Sequence, residues 1–180
     1  AGLSYRAQKL YPEAIAQFDL LIDNHPNDPN YGQAVLAKAE TLDRSGDEDG
    51  AVTVYLSFVD GHAEASLAPE ALYKAASLLE ELGRGDEAEK VYSRLYAAYP
   101  GTKEAPLAAL HAGVLAYRAS RWSDAEAYFG QAAGLCGECS DANRYRFWEA
   151  RALLAQQRRE DATSLLTTVA GSNPSDYYSY

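Results

Sequence analysis

The chain has 180 residues, of which 47% are hydrophobic, and it carries a formal net charge of −10 at pH 7. This apolar content excludes a wholly disordered chain, and no apolar run approaches the ~18 residues that a membrane-spanning helix needs. The strong negative charge argues against nucleic acid as a partner, because its phosphates would be repelled.

The spacing of hydrophobic residues predicts helices only, arranged in pairs with a short turn inside each pair. Glycine and proline place the breaks between pairs, as at Tyr99-Pro100-Gly101, after which Thr102 is expected to cap the next helix. A last helix is expected to begin after Pro174. In chain order, the others are predicted at about residues 1–9, 12–24, 31–44, 48–60, 69–82, 86–99, 103–119, 123–134, 141–156 and 159–171.

The chain repeats itself with a period of 37 residues, which is typical of stacked repeat architectures. One column of this repeat contains only alanine: Ala14, Ala51, Ala88, Ala125 and Ala162. Four residues later, a second column contains large apolar residues: Phe18, Tyr55, Tyr92, Phe129 and Leu166. A third column is small throughout: Gly2, Ala39, Ala76, Gly113 and Ala150. Because helices can cross closely only where small residues meet, these columns predict the helix crossings.

The repeat predicts an all-α solenoid of about five helix-turn-helix units, each contacting mainly its neighbours. The expected units are about residues 1–29, 30–66, 67–103, 104–140 and 141–177. Since the sequence opens on Ala1-Gly2-Leu3 as if inside a helix, we expect this single repeat domain to be a fragment of a longer protein. The first helix of each pair should line a concave face.

These residues resemble the tetratricopeptide repeat (TPR) over essentially the whole chain. The segments that carry the resemblance are Gly46-Asp47 followed by Ala51 and Tyr55, Gly83 followed by Ala88, Tyr92 and Pro100, and Trp122 followed by Ala125 and Phe129. The resemblance implies a right-handed superhelix that acts as a scaffold and binds a peptide, a protein segment or a neighbouring domain in its groove. The unit differs from the usual ~34 residues in length, and the fifth unit departs from the pattern at Gln157 and Arg159.

Two narrower resemblances imply a periplasmic or cell-envelope location. The segment from Leu95 to Pro106 is similar to a junction in bacterial envelope TPR proteins, including outer-membrane assembly lipoproteins and Tol-associated factors. The segment from Phe147 to Leu153, with Asp176-Tyr177-Tyr178, resembles the helical domain of soluble lytic transglycosylases. The alternative functions are therefore an envelope assembly factor or the non-catalytic helical part of a peptidoglycan-processing enzyme, since the Glu-Ser of the catalytic domain is lacking here.

Candidate chemistry is confined to Cys136-Gly137-Glu138-Cys139, which is compatible with a local disulfide, two free thiols, or a redox or metal role. A disulfide would imply an oxidising compartment. The sequence contains no recognisable catalytic triad, phosphate-binding glycine loop or dinucleotide motif. We therefore expect no enzyme activity, no cofactor and no metal in this chain.

The predicted partner-binding surface is the concave face formed by the first helices. Arginine and aromatic side chains are the ones that most often anchor interfaces. The residues chosen on this basis are Glu40, Arg44 and Tyr73, which lie in an acidic region, and Tyr117, Arg118, Arg144, Phe147 and Arg151, in an aromatic and basic one. The competing interpretation is that Phe147 and Trp148 only pack between units. Fourteen tyrosines and exposed solenoid ends also leave self-association open.

Overall fold

A computed structural model describes residues 1–137 and 139–172, and all regular structure in these ranges is helical. Each helix end lies within two residues of its predicted place, and the helix expected after Pro174 lies outside the described residues. In chain order the helices are α1 (Gly2–Ala7), α2 (Tyr11–Asn24), α3 (Tyr31–Ser45), α4 (Glu48–Gly61), α5 (Ala68–Glu81), α6 (Gly85–Ala98), α7 (Glu104–Arg118), α8 (Trp122–Cys136), α9 (Ala142–Ala155) and α10 (Arg159–Ser172).

The chain divides into two compact units, residues 1–91 and residues 92–180, and the division falls within α6. In the first unit, each helix from α1 to α4 packs against the helix that follows it. In the second unit, α7, α8, α9 and α10 pack in the same sequential way. The odd-numbered helices are called first helices below, and the even-numbered ones second helices.

The alanine column is fully buried, with all five side chains 0% exposed, which confirms that it marks tight packing. The aromatic members of the large column, Phe18, Tyr55, Tyr92 and Phe129, are buried as well, and Leu166 is partly buried against Ala162. The core is therefore a series of alanines, each with a large side chain one turn later on the same helix face.

Two glycines of the small column lie directly against aromatic rings. A methyl group at Gly2 would lie 2.7 Å from Cε1 of Phe18, and one at Gly113 would lie 2.5 Å from Cε1 of Phe129. Carbon atoms do not approach this closely without a shift of one of them. Glycine at these two positions thus allows the first helix to approach the ring of the second.

The turns inside the helical pairs share one backbone conformation. Residues at a spacing of 37 have a positive φ: Lys9 at 61°, Gly46 at 88°, Gly83 at 74°, Ser120 at 59° and Gln157 at 64°. The next backbone N–H in each turn donates to a carbonyl five residues earlier, as from Arg121 to Ala116. This is the usual left-handed ending of a helix, and three of the five turns form it without glycine.

The capping prediction for Thr102 is wrong. Its hydroxyl donates to the carbonyl oxygen of Tyr99 at 2.9 Å, and α7 has no side-chain cap. The reason is register, because α7 begins at Glu104 and the cap position is therefore Lys103. In contrast, the carboxylate of Asp47 accepts from the backbone N–H of Gly50 and caps α4.

Candidate interaction surface

Glu40 connects three first helices in the unit of residues 1–91. Its carboxylate accepts from Arg6 Nη1 of α1 and from Lys74 Nζ of α5, each at 2.8 Å. Burial opposes ionisation of Glu40, but the hydrogen bonds and charges of Lys74 and Arg6 outweigh it and lower the pKa of the carboxyl. The charge of this predicted site residue is therefore compensated within the unit.

The other two predicted residues of this unit lie on separate helices. Arg44 is exposed in the last turn of α3, and Tyr73 is partly buried on α5. Beside Glu40 there is a cleft of about 660 Å³ that sequence analysis did not foresee. Its walls include Leu3, Arg6, Phe18, Gln33, Ala37 and Glu40.

Aromatic side chains of α7, α8 and α9 meet in the unit of residues 92–180. The ring of Tyr117 lies edge-on to Trp122, with centroids 4.7 Å apart, and to Trp148, with centroids 6.0 Å apart. Trp148 also contacts the buried ring of Phe129 at 5.7 Å. Trp148 is thus a packing residue, as the competing interpretation of the sequence held, and Tyr117 belongs to the same cluster.

Phe147 does not share this role, since 47% of its surface is exposed. Arg144 and Arg151, three residues before it and four after it, are exposed on the same face of α9, and so is Leu154, which is also 47% exposed. We call these four residues, Arg144, Phe147, Arg151 and Leu154, the α9 stripe. Sequence analysis missed Leu154, although its spacing from Phe147 and Arg151 would have identified it.

The two arginines of the α9 stripe are held by aromatic rings. The guanidinium of Arg151 lies 4.5 Å from the ring centroid of Trp148 and 5.5 Å from that of Tyr117. Arg144 lies 5.4 Å from the ring of Tyr145 and forms an ion pair with Asp141 at 3.6 Å. Contacts of this kind hold the cation in place and leave N–H donors for a carboxylate. The remaining predicted residue, Arg118, is exposed at the end of α7.

Two carboxylates approach each other between α8 and α9, which the sequence did not indicate. Burial raises the pKa of Glu149, the negative charge of Glu126 raises it further, and Arg146 partly opposes both. Glu126 itself accepts from Gln156 at 2.8 Å and from Arg158 at 2.7 Å. Glu149 is thus the less compensated carboxylate of the pair.

A disulfide joins Cys136, the last residue of α8, to Cys139 in the segment before α9. Their Cα atoms are 5.4 Å apart, which lies in the usual range for such a bond. Among the described residues, no three His, Cys, Asp or Glu side chains are grouped as metal ligands. No helix in the same ranges is long and apolar enough to cross a bilayer.

Comparison with known families identifies one kind of repeat along most of the chain. Models of the tetratricopeptide repeat match residues 1–28, 36–102 and 110–177. No curated protein matches the sequence.

Solved structures with the same arrangement of helices have low sequence identity to this chain. BtubC from P. vanneervenii has a TM-score of 0.68 at 16% identity, over 97% of this chain and 75% of that one. TPR-like repeats from Podosopora anserina, described as kinesin light chain, have a TM-score of 0.62 at 14% identity, over 99% of this chain and 94% of that one. MamA from Desulfovibrio magneticus has a TM-score of 0.62 at 16% identity, over 98% of this chain and 93% of that one. At these identities the likeness shows the fold alone.

Proposed function

The chain belongs to the tetratricopeptide repeat family, whose all-α solenoids are protein-interaction scaffolds, and we propose that it holds a segment of a partner protein on its first helices. The contact residues of this proposal are Glu40, Arg44 and Tyr73 in one compact unit and Tyr117, Arg118, Arg144, Phe147 and Arg151 in the other. The second group is aromatic and basic, whereas in the first group the charge of Glu40 is compensated by Arg6 and Lys74.

One observation carries the proposal, namely the half-exposed ring of Phe147 between two exposed arginines. Apolar surface in contact with water costs roughly 25 cal/mol per Å² of free energy. A partner that covers the ring of Phe147 would remove this cost. Aromatic and arginine side chains together are also the residues on which binding energy concentrates. The α9 stripe is therefore the part of the surface best suited to a protein partner.

The proposal can be tested by placing a photoreactive phenylalanine analogue at position 147 and irradiating cells that express the protein. We expect a discrete crosslinked partner, identified by mass spectrometry, and a lower yield when Arg151→Glu is added. The matched control carries the analogue at Gln131, which is also exposed but lies on a second helix, α8. Equal crosslinking from both positions would count against a specific surface on α9.

A periplasmic or cell-envelope location remains part of the proposal. The disulfide between Cys136 and Cys139 supports it, because such bonds persist in oxidising compartments. Alkylation of thiols at the moment of cell lysis, followed by mass spectrometry, should find both cysteines unlabelled. Labelling of both would instead favour a reducing compartment. The alternatives of a transglycosylase helical domain or an assembly factor have no structural observation that favours them.

A further inference from the structure

The α9 stripe has counterparts at the period of the repeat in the other first helices, of which α3 and α7 carry all four positions and lie in the same compact unit as the next first helix. The corresponding residues are Gln33, Leu36, Glu40 and Asp43 on α3, and Leu107, Leu110, Val114 and Tyr117 on α7. Arg151 thus stands three repeats after Glu40, and Phe147 three repeats after Leu36. The structure around these counterparts shows what normally lies on such a surface.

In each compact unit, the counterpart stripe contacts the next first helix. In residues 1–91, Lys74 of α5 reaches back to Glu40 of α3 at 2.8 Å. In residues 92–180, Trp148 and Ala152 of α9 share a cluster with Leu110, Val114 and Tyr117 of α7. A stripe of this kind is therefore a seat for a helix.

The seat on α9 is open over the described residues. Phe147 is 47% exposed, whereas its counterpart Leu36 is 4% exposed. No carboxylate of the described ranges forms an ion pair with Arg151, which lies against the rings of Trp148 and Tyr117. Within residues 1–137 and 139–172, no helix lies on the two apolar side chains and two arginines of the stripe as α5 and α9 lie on its counterparts.

The charge on this seat is opposite to that on α3. A carboxylate, Glu40, meets a lysine from the covering helix, whereas the same repeat position on α9 is an arginine. Consider a partner helix that lies on α9 in the way that α5 lies on α3. Its side chain at the position of Lys74 would face Arg151, just as Lys74 faces Glu40. Favourable pairing then requires Asp or Glu at that point, since like charges at this distance repel.

We infer that the α9 stripe binds an acidic amphipathic helix of a partner protein, which packs apolar side chains on Phe147 and Leu154 and presents a carboxylate to Arg151. The inference rests on the proposed scaffold function and specifies the chemistry of the partner. The overall charge of −10 opposes the approach of an acidic helix, so its attraction to this surface has to come from the arginines of the α9 stripe.

The test uses two fluorescent, terminally blocked peptides that copy residues 68–82, the α5 segment. One has the native sequence with Lys74, and the other carries Lys74→Glu. The 180-residue protein should bind the Lys74→Glu peptide about threefold more tightly in an anisotropy titration, which corresponds to one partly exposed ion pair. Phe147→Ala and Leu154→Ala should each weaken both peptides.

The decisive variant is Arg151→Glu, which should reverse the preference between the two peptides. Arg159→Glu makes the same change of charge at an exposed residue of α10 and should leave the preference as in the wild type. If Arg159→Glu acts like Arg151→Glu, or if the wild type binds the native peptide as well as the acidic one, the inference is overturned. Circular dichroism of each variant shows whether it is folded.

Failure of the inference and failure of the scaffold proposal are distinguishable. If Phe147→Ala weakens both peptides but Arg151→Glu has no effect on the preference, the stripe still binds protein and only the acidic helix is excluded. Photocrosslinking from position 147 can also be carried out without either peptide. A crosslink to a second copy of the chain, or to residues 173–180 of its own chain, would assign the α9 stripe to that occupant and overturn the inference.

Discussion

At the scale of single residues, backbone conformation is conserved along the repeat where side-chain identity is not. Gly46 and Gly83 adopt positive φ at the turns, and Ser120 adopts the same conformation with φ of 59°. A residue with a Cβ atom pays about 1–2 kcal/mol for this conformation, whereas glycine does not. The repeat therefore imposes the turn on residues that disfavour it.

Ser120→Gly should accordingly stabilise the protein by about 0.5–1 kcal/mol, after allowance for the greater freedom of glycine in the unfolded chain. Urea denaturation followed by circular dichroism would measure the change. The neighbouring substitution Ala119→Gly is the control, because Ala119 has an ordinary φ of −79° and should lose stability instead. A loss of stability in Ser120→Gly would show that the side chain matters more than the backbone there.

Alanine at two helical glycines should have opposite effects. Gly113→Ala places a methyl group against the fully buried ring of Phe129 and should destabilise by about 1 kcal/mol, the overpacking exceeding the gain in helix propensity. Gly134→Ala meets nothing within 4 Å and should stabilise by about 0.5–1 kcal/mol. Both values follow from denaturant titration. Equal effects at the two positions would mean that Phe129 moves aside freely.

At the scale of helices, the first helices of residues 1–91 are connected by a carboxylate as well as by apolar contact. Glu40 of α3 bonds both to α1 and to α5, and its lowered pKa shows that the ionised form is favoured in the fold. Such a group contributes stability above its ordinary pKa of 4.5, and the contribution is lost as the pH falls through the folded value.

Glu40→Gln should therefore lower stability at pH 7 by about 1 kcal/mol, and the difference from wild type should shrink in acid. Thermal unfolding of both proteins between pH 7 and pH 3 would measure this. Glu160→Gln, which removes an exposed carboxylate of α10, should show little change at either pH. A difference that stays constant with pH would mean that ionisation of Glu40 is not the cause.

Glu149 should behave in the opposite way. Burial and the charge of Glu126 raise the pKa of its carboxyl. The contribution of this group to folding stability is therefore fully present below the ordinary pKa of 4.5, and it is lost as the pH rises through the pKa of the folded state. Glu149→Gln should then raise the melting temperature at pH 7, with a smaller gain near pH 4. If the variant melts below wild type at pH 7, Arg146 must stabilise the ionised carboxylate more than burial and Glu126 disfavour it.

At the scale of the whole chain, one sequence repeat organises two compact units, residues 1–91 and residues 92–180. The same column of alanine is 0% exposed in both units. In the first unit α2 buries two residues, Ala14 and Phe18, whereas α4 buries five. Burial thus differs between these two second helices although both carry the alanine and the aromatic columns.

The helices, their ends and the buried columns were predictable from the sequence, because the 37-residue period and the breaking residues are local signals. The TPR assignment followed from the same residues and agrees with the family match. Thr102 shows the limit of such signals, since a shift of one residue in the start of α7 removes its capping role.

The sequence by itself determined that this protein is a series of helical pairs with alanine at their crossings, since helix geometry repeats within a few residues and needs no distant partner. Only the tertiary structure decided that Glu40 is bridged by Arg6 and Lys74, that Trp148 packs inward while Phe147 remains exposed, and that Glu126 approaches Glu149. Each of these depends on the rotation of neighbouring helices and on the distance between them. That packing decides which charges meet and which side chains remain exposed, and it is not encoded within a few residues of sequence.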